Sequence, residues 1–161
     1  EASKYMIPQR SGKIINICSL FSFLGGQLSP AYASTKHGLA GFTKAYCDEL
    51  AQYNIQVNGI APGYYATAIT ARTRSNPEAS RRILDHIPAK RWGEPMDLMG
   101  TTVFLASRAS DYVNGAIIPV DGQINVLIFI EGTWLPPGSN NDDTLHPVNS
   151  AATTLATVEM A

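Results

Sequence analysis

The order of secondary structure is decided by residues 13–61, which read KIINICSLFSFLGGQLSPAYASTKHGLAGFTKAYCDELAQYNIQVNGIA. Residues 13–18 form a short β-branched run of the kind found in strands that are covered on both faces. Pro30 stands where proline is tolerated, in the first turn of a helix that we expect to run to about Tyr53. A second apolar run follows at residues 55–61. Strand, helix and strand at these lengths predict a parallel sheet, because parallel strands need a crossover connection.

Further elements are predicted on both sides of this unit. They are the end of a helix at 1–10, a helix from 76 to about 88, a turn and helix cap at 91–95, a helix at 98–107 and a strand at 116–120. In the long central helix, Leu39, Phe42, Tyr46 and Leu50 recur at helical spacing. We interpret them as a face that packs on the sheet or on a partner subunit.

Composition excludes several classes of protein. The chain has 161 residues and an apolar fraction of 45%, which fits one globular domain with a sizeable core. A net charge of −1 and a pI near 6.3 do not indicate binding to nucleic acid or to an anionic membrane. Cys18 and Cys47 are interpreted as small apolar side chains, and no Cys/His spacing indicates a metal site. These features, with no signal peptide or long apolar run, predict a cytoplasmic protein.

Three side chains near the first strand could act together on one carbonyl group. Tyr32 and Lys36 lie one helical turn apart, so a phenol and an ammonium share one helix face. A free phenol titrates near pH ~10, and a nearby positive charge is needed before it transfers protons at neutral pH. Ser19 ends the first strand, where a hydroxyl can face a ligand crevice. About one such chain in five would hold Tyr-x-x-x-Lys by chance, so the flanking strands give this pair its weight.

The motifs GKIINICS, YASTK and IQVNGIAPG, with the tyrosine thirteen residues after the serine, resemble the second half of a short-chain dehydrogenase/reductase. The resemblance covers residues 1–122. It implies that Tyr32 is the general acid/base, that Ser19 binds the substrate oxygen, and that Lys36 holds the nicotinamide ribose and supports Tyr32. Tyr32 and Lys36 are therefore also expected among the cofactor-binding residues.

The segment after the second strand is assigned further roles by the same resemblance. Pro62 and Gly63 alone would predict only a chain reversal. In the family this position carries PG followed by a threonine that contacts the nicotinamide carboxamide, which implies cofactor-binding roles for Pro62, Gly63 and Thr67. Relatives use the next segment as a substrate lid. Arg72 and Arg74 could grip a carboxylate there, although a solvated helix face is the simpler interpretation.

Longer phrases narrow the expected substrate. INICS, ELAQYNIQVNGIAPGYYAT, HIPAKRWGEP and LASRASDYVNG together resemble the members of the family that act on gluconate and on keto-deoxy sugar acids. The resemblance implies an oxidoreductase that uses NAD or NADP to interconvert a secondary alcohol and a ketone on a sugar acid. It also implies a homo-oligomer, expected to be a tetramer.

Three motifs of the family are missing from these residues. They are the glycine-rich phosphate loop, the Asn-Asn-Ala-Gly stretch and the asparagine that precedes the serine. We therefore expect an α/β fold in which residues 1–125 form the C-terminal half of a Rossmann-like, doubly wound parallel sheet, with the N-terminal dinucleotide-binding half absent. After that point the sequence diverges from relatives, and residues 126–161 are expected to form a disordered tail.

Two other functions stay open at this point. The chain could be a catalytically inactive fragment that acts only as an oligomerisation or interaction module. It could also be a generic ligand-binding α/β domain, although the placement of serine, tyrosine, lysine and PG would then be coincidence. Nicotinamide binding separates the enzyme from the module, because only the enzyme requires it.

Overall fold

A computed structural model describes residues 1–26 and 29–124. The helices are α1 (Ala2–Gln9), α2 (Pro30–Leu50), α3 (Ala71–Arg74), α4 (Pro77–His86) and α5 (Met99–Ala106), and the strands are β1 (Gly12–Ile17), β2 (Ile55–Pro62) and β3 (Ile117–Val120). Single 3-10 turns lie at Leu20–Ser22, Ala51–Tyr53, Pro95–Leu98 and Arg108–Ser110. The predicted tail at 126–161 and its boundary lie outside the described residues.

The three strands form a parallel sheet in the order β1-β2-β3, as the strand–helix–strand pattern predicted. In the register, Ile17 of β1 lies beside Ile60 of β2, and Gly59 of β2 lies beside Ile117 of β3. Residues 55–61 are all buried. Successive side chains of a strand point to opposite faces, so the central strand is covered on both sides. The carboxyl ends of β1 and β2 therefore meet at one edge of the sheet.

Helix α2 packs on the sheet through small side chains. Its buried residues are Ala33, Ala40, Thr43 and Leu50, and the Asn16 amide of β1 donates a 3.0 Å hydrogen bond to the Thr43 hydroxyl. Of the two predicted alternatives, Leu50 packs on the sheet, whereas Phe42, which is 51% exposed, does not and keeps the alternative of packing on a partner subunit. Phe42 follows the line of large residues, whereas close approach to the sheet requires the small residues about 100° away.

Helix α1 is attached to the same core. Leu50, Ile55 and Val57 form a buried cluster, and side chains of α1 pack against it. The Tyr46 hydroxyl of α2 donates a 2.7 Å hydrogen bond to the Ser3 hydroxyl. One apolar cluster therefore connects α1, α2 and the first two strands.

The two cysteines are not paired with each other. Cys18 is buried, Cys47 is half-buried, and both are free thiols. Burial raises the pKa of each thiol, which fits their predicted role as small apolar side chains. Residues 1–26 and 29–124 contain neither a helix long and apolar enough to cross a membrane nor a group of three His, Cys, Asp or Glu side chains that could hold a metal ion.

Two asparagines, the buried Asn58 and the half-buried Asn114, connect β2 to the loop that precedes β3. Asn58, which is 1% exposed, donates to the Val113 carbonyl at 2.8 Å and accepts from the Ala116 N–H at 3.0 Å. Asn114 accepts from the Val57 N–H at 2.6 Å. These side chains provide hydrogen bonds that β-ladder pairing leaves unmade at the start of β3, and so they fix the loop on the sheet.

We expect Asn58→Ala to lower the free energy of unfolding by about 2–3 kcal/mol, because it leaves the partly buried Val113 carbonyl and Ala116 N–H without their partner. Urea unfolding followed by circular dichroism measures this. Gln56→Ala is the matched control on the same strand. The buried Gln56 amide donates only a long, local hydrogen bond of 3.4 Å, to the side chain of Asn54 two residues earlier. Equal losses for the two variants would contradict the role given to Asn58.

Candidate active site

Ser19 lies at the carboxyl end of β1, where the sequence placed it. The ladder to β2 continues one residue past the strand, because the Cys18 N–H donates to the Ile60 carbonyl at 2.7 Å. Ser19 then begins the 3-10 turn, and its Oγ accepts a 3.2 Å hydrogen bond from the Phe21 N–H. Its side chain is 7% exposed. The hydroxyl is therefore held by its acceptor side, which leaves its hydrogen to donate to a ligand.

Tyr32 and Lys36 occupy the first two turns of α2, with Pro30 at the first helical position. The Lys36 ammonium lies 5.6 Å from the centre of the Tyr32 ring. It donates a 2.7 Å hydrogen bond to the carbonyl of Ile17, the last residue of β1. The Tyr32 ring is 46% exposed, so its phenol is accessible from outside.

Three contacts bring these residues to one place. The Tyr32 ring meets the edge of Phe21 at a centroid distance of 5.9 Å. Lys36 reaches Ile17, two residues before Ser19, through its ammonium. Its backbone carbonyl also accepts a 2.8 Å hydrogen bond from the Ser22 hydroxyl. The structure therefore places all three predicted catalytic side chains around the carboxyl end of β1.

Pro62 is the last residue of the neighbouring strand, β2, and Gly63 and Thr67 follow it. The Gly63 N–H donates to the Val120 carbonyl at 3.1 Å, which keeps it against β3. A Cβ at Gly63 would lie 2.7 Å from the Asp121 Cα, so this close approach requires glycine. Thr67 is exposed, and its N–H donates to the Tyr65 carbonyl at 3.0 Å. Pro62 and Gly63 thus lie at the same sheet edge as the triad, and Thr67 lies on the exposed turn beyond them.

The lid predicted by the resemblance corresponds to α3 and α4. Asn76 caps α4 by accepting from the Ala79 N–H at 3.1 Å. Arg72 and Arg74 are both exposed, which fits the simpler interpretation of a solvated helix face. The Arg74 guanidinium also donates to the Thr67 carbonyl at 3.2 Å and to the Thr70 hydroxyl at 3.3 Å.

An apolar cluster joins the lid to the turn that begins at Ser19. Its buried members are Leu20, Ile87 and Ile124, and Phe21, Leu24, Tyr64, Ile83 and Leu84 pack against it. Leu20 is the residue next to Ser19, and Ile87 directly follows α4. The end of α4 is therefore attached directly to the segment that positions the serine.

The segment that follows α4 is fixed by a planar ion pair between Arg91 and Asp97. Both terminal nitrogens of Arg91 donate to the Asp97 carboxylate, at 2.6 and 3.0 Å, and the Glu94 N–H donates to it at 2.8 Å. The Arg91 hydrogen bonds and the Glu94 N–H lower the pKa of Asp97 to about 2. Burial raises the pKa of the neighbouring Tyr65 to about 12, and its hydroxyl donates to the Val120 carbonyl at 2.8 Å.

An open cavity of about 240 Å³ lies beside this ion pair. Its lining includes Tyr65, Arg91 and Asp97, and none of the three predicted catalytic side chains. Its charged groups already pair with each other, so we place the candidate site at the end of β1 and not in this cavity.

Sequence reasoning missed Ser22 and the contact between Phe21 and Tyr32. Ser22 is 5% exposed, and its Oγ also accepts from the Ser19 N–H at 3.2 Å. The only sequence signal was the spacing Ser19-x-x-Ser22, which is that of a reciprocal helix cap. That spacing predicts a turn, but it does not reveal that the second serine reaches Lys36.

Comparison with known proteins gives the family. Residues 1–125 match the short-chain dehydrogenase family described as enoyl-(acyl carrier protein) reductase. The chain belongs to the short-chain dehydrogenase/reductase family, and its parallel sheet is part of that Rossmann-like α/β fold.

Individual relatives are similar over the same region. The chain is 77% identical over 122 residues to the uncharacterized oxidoreductase YgcW of Escherichia coli, covering 76% of this chain and 47% of that protein. It is 55% identical over 121 residues to the 2-dehydro-3-deoxy-D-gluconate 5-dehydrogenase of Bacillus subtilis, covering 75% and 48%. The chain thus spans about half the length of the curated relatives it matches.

A solved structure agrees with the fold. The crystal structure of a gluconate 5-dehydrogenase from Burkholderia cenocepacia in complex with NADP and tartrate superimposes with a TM-score of 0.74 at 42% identity. The match covers 77% of this chain and 49% of that one.

Acid should weaken the fold through Asp97. Its carboxyl has a lower pKa in the folded chain, about 2, than the ordinary value of 3.8. The unfolded chain therefore takes up the proton first, and the stabilisation present above pH ~4 is lost as the pH falls toward 2. We expect Asp97→Asn to flatten the fall of the thermal midpoint between pH ~4 and ~2, whereas Asp85→Asn on exposed α4 leaves it unchanged. A midpoint in Asp97→Asn that falls as steeply as in the parent chain would contradict this.

Gly63→Ala should disturb the strand end more than other glycine substitutions, because the clash is with backbone of Asp121. We expect a loss of about 1–3 kcal/mol in the free energy of unfolding. Gly41→Ala is the control, since a Cβ there meets nothing within 4 Å. Urea unfolding of both variants measures the difference, and an unchanged Gly63→Ala would show that the strand end can shift.

Proposed function

We propose that this chain carries the catalytic half of an NAD(P)-dependent oxidoreductase that interconverts a secondary alcohol and a ketone on a sugar acid. One observation carries the proposal. A phenol and an ammonium, one helical turn apart in Tyr32 and Lys36, lie where β1 ends beside the buried Ser19 hydroxyl. Family membership supports the same chemistry.

Ser19, Tyr32 and Lys36 each have a separate role in the proposed reaction. In the direction of reduction, Ser19 donates its hydrogen to the carbonyl oxygen, because its acceptor side is engaged with the Phe21 N–H. Tyr32 donates a proton to that oxygen as it gains negative charge, which is general acid catalysis. Lys36 stabilises the phenolate that remains. In the direction of oxidation, the same groups accept the proton.

The site also fits a nicotinamide cofactor. An ammonium has three donors, and one of those on Lys36 is used by the Ile17 carbonyl, so the others are available for ribose hydroxyls. Pro62, Gly63 and Thr67 lie where open parallel sheets bind ligands, beyond the carboxyl ends of the strands. When bound, the cofactor supplies or accepts the hydride. The choice between NAD and NADP stays open in this proposal.

The substrate class rests on the relatives. Two of them are a 2-dehydro-3-deoxy-D-gluconate 5-dehydrogenase and a 5-keto-D-gluconate 5-reductase, at 55% and 43% identity. We extend this class, gluconate-like sugar acids, to the present chain. Arg72, exposed on α3, is the cation that we assign to the substrate carboxylate. We prefer it to Arg74, because the Arg74 guanidinium already donates to the Thr67 carbonyl and the Thr70 hydroxyl.

The proposal includes a cytoplasmic homo-oligomer, expected to be a tetramer. Two free thiols suit a reducing compartment. Phe42 is half exposed and stacks on Tyr46 at a ring-centroid distance of 4.9 Å. Exposed aromatic side chains of this kind are enriched at protein interfaces.

An inactive interaction module remains the second candidate. The observation that favours it is the half-exposed Phe42 on α2, which can serve assembly whether or not the chain binds a cofactor.

The first test is the loss of activity in Tyr32→Phe. We expect kcat for 5-keto-D-gluconate with NADPH or NADH to fall at least about 100-fold, because the proton donor is removed. Cofactor affinity, measured by nicotinamide fluorescence, should change less than about threefold, since the ring and its contact with Phe21 remain. Tyr5→Phe is the matched control, with a 73% exposed tyrosine on α1.

The outcomes separate the two candidates. Full activity in Tyr32→Phe would refute the catalytic assignment. A folded oligomer that binds neither NADH nor NADPH would support the interaction module. Binding and turnover with gluconate, 5-keto-D-gluconate or 2-dehydro-3-deoxy-D-gluconate, lost in Tyr32→Phe alone, would establish the enzyme and its substrate.

A further inference from the structure

Ser22 makes two hydrogen bonds that link the segments carrying the catalytic groups. Its Oγ accepts from the Ser19 N–H at 3.2 Å and donates to the Lys36 carbonyl at 2.8 Å. The side chain is 5% exposed, so water does not compete freely for either bond. One buried hydroxyl therefore joins the backbone of the proposed oxygen-binding residue to the backbone of the proposed lysine.

The hydrogen bond from Ser22 to the Lys36 carbonyl is not needed to give that carbonyl a partner. Lys36 lies in the second turn of a 21-residue helix, where a carbonyl is already paired with the N–H four residues later. A carbonyl oxygen has a second lone pair, and the Ser22 hydroxyl uses it. The contact therefore adds a connection between the turn and the helix.

The connection closes a ring of bonds. The ring runs from the Ser19 N–H through the Ser22 hydroxyl to the Lys36 carbonyl, then along the lysine side chain to the Ile17 carbonyl. From Ile17 the main chain returns to Ser19 in two residues. A closed ring of this kind fixes the strand end and the helix relative to each other more firmly than the ammonium contact alone.

We propose that Ser22 is a positioning residue, which sets the distance between the Ser19 hydroxyl and the Tyr32–Lys36 pair. This inference rests on the proposed function. Ser22 does not touch the reacting atoms in this arrangement. It acts because Ser19 and the helix must face one substrate oxygen from different elements, and misplacement by about 1 Å can reduce a rate by up to about 100-fold.

The proposal predicts a particular pattern of kinetic change. Tyr32 and Lys36 are on one helix, so their spacing does not depend on Ser22. Loss of the Ser22 hydroxyl should therefore reduce kcat without changing the pH profile of kcat. The KM for substrate and the affinity for NADPH should change little, because the lid and cofactor contacts are made by other residues.

Ser110→Ala is a matched control for Ser22→Ala. Ser110 is fully buried, and its hydroxyl donates to the Leu105 carbonyl at 3.0 Å beside α5, away from the end of β1. Both variants remove a buried hydroxyl that bonds to a helix carbonyl. We expect similar decreases in thermal midpoint, with kcat for 5-keto-D-gluconate and NADPH lowered about tenfold or more in Ser22→Ala and less than about twofold in Ser110→Ala.

Tyr32→Phe is assayed in parallel with the Ser22 variants, so that failure of the positioning role can be distinguished from failure of the proposed function. If Tyr32→Phe is inactive and Ser22→Ala keeps kcat within twofold of the parent, the positioning role is wrong while the proposed function stands. If Tyr32→Phe is fully active, the proposed function is wrong. Equal losses of kcat in Ser22→Ala and Ser110→Ala would reduce the effect to general destabilisation and overturn the inference.

Ser22→Thr keeps the experiment decisive if Ser22→Ala does not fold. Threonine retains the hydroxyl, and a folded Ser22→Thr variant should keep kcat within about threefold of the parent. A folded Ser22→Thr with the pH profile unchanged but kcat lowered as far as in Tyr32→Phe would contradict the role of the hydroxyl. Failure of both Ser22 variants to fold, while Ser110→Ala folds, would make Ser22 a residue of the fold and overturn the proposal.

Discussion

The parallel pairing of β1 with β2 is the constraint on which the candidate site depends. It brings the two strand ends together at one edge, so that Ser19 and Gly63 leave the sheet side by side. Helix α2 must then run back across the sheet to connect those strands, and its first turns lie beside the end of β1. Tyr32 and Lys36 reach the serine because of this connection. An antiparallel pair would not have required the helix.

The parts of the site that the sequence could predict are those fixed within one element. Tyr32 and Lys36 lie on one helix face by their spacing alone, and Ser19 follows directly after an apolar strand. Ser22 could not be predicted, because its role depends on a carbonyl fourteen residues away that only the folded turn brings near. The partners of Arg74 could not be predicted for the same reason, since the Thr67 carbonyl and the Thr70 hydroxyl lie near it only in the folded turn.

The two alternatives for the face that includes Phe42, packing on the sheet or on a partner subunit, could not be separated from the sequence. A helix that packs closely on a central strand presents small residues, here Ala33, Ala40 and Thr43. Helical spacing identifies the large apolar residues, but it does not show which side of the helix the sheet covers. Phe42 lies outside that side and is half exposed.

The cluster of Leu20, Ile87 and Ile124 beside α4 has a thermodynamic consequence. Separation of Ile87 from Leu20 would hydrate apolar surface that is now dry. Hydration of apolar surface raises the heat capacity, so the free energy of this contact curves with temperature. The contact is then weakest toward the cold end of the range, where apolar association fades. Because Leu20 adjoins Ser19, cooling weakens the attachment of α4 to the segment that carries the serine.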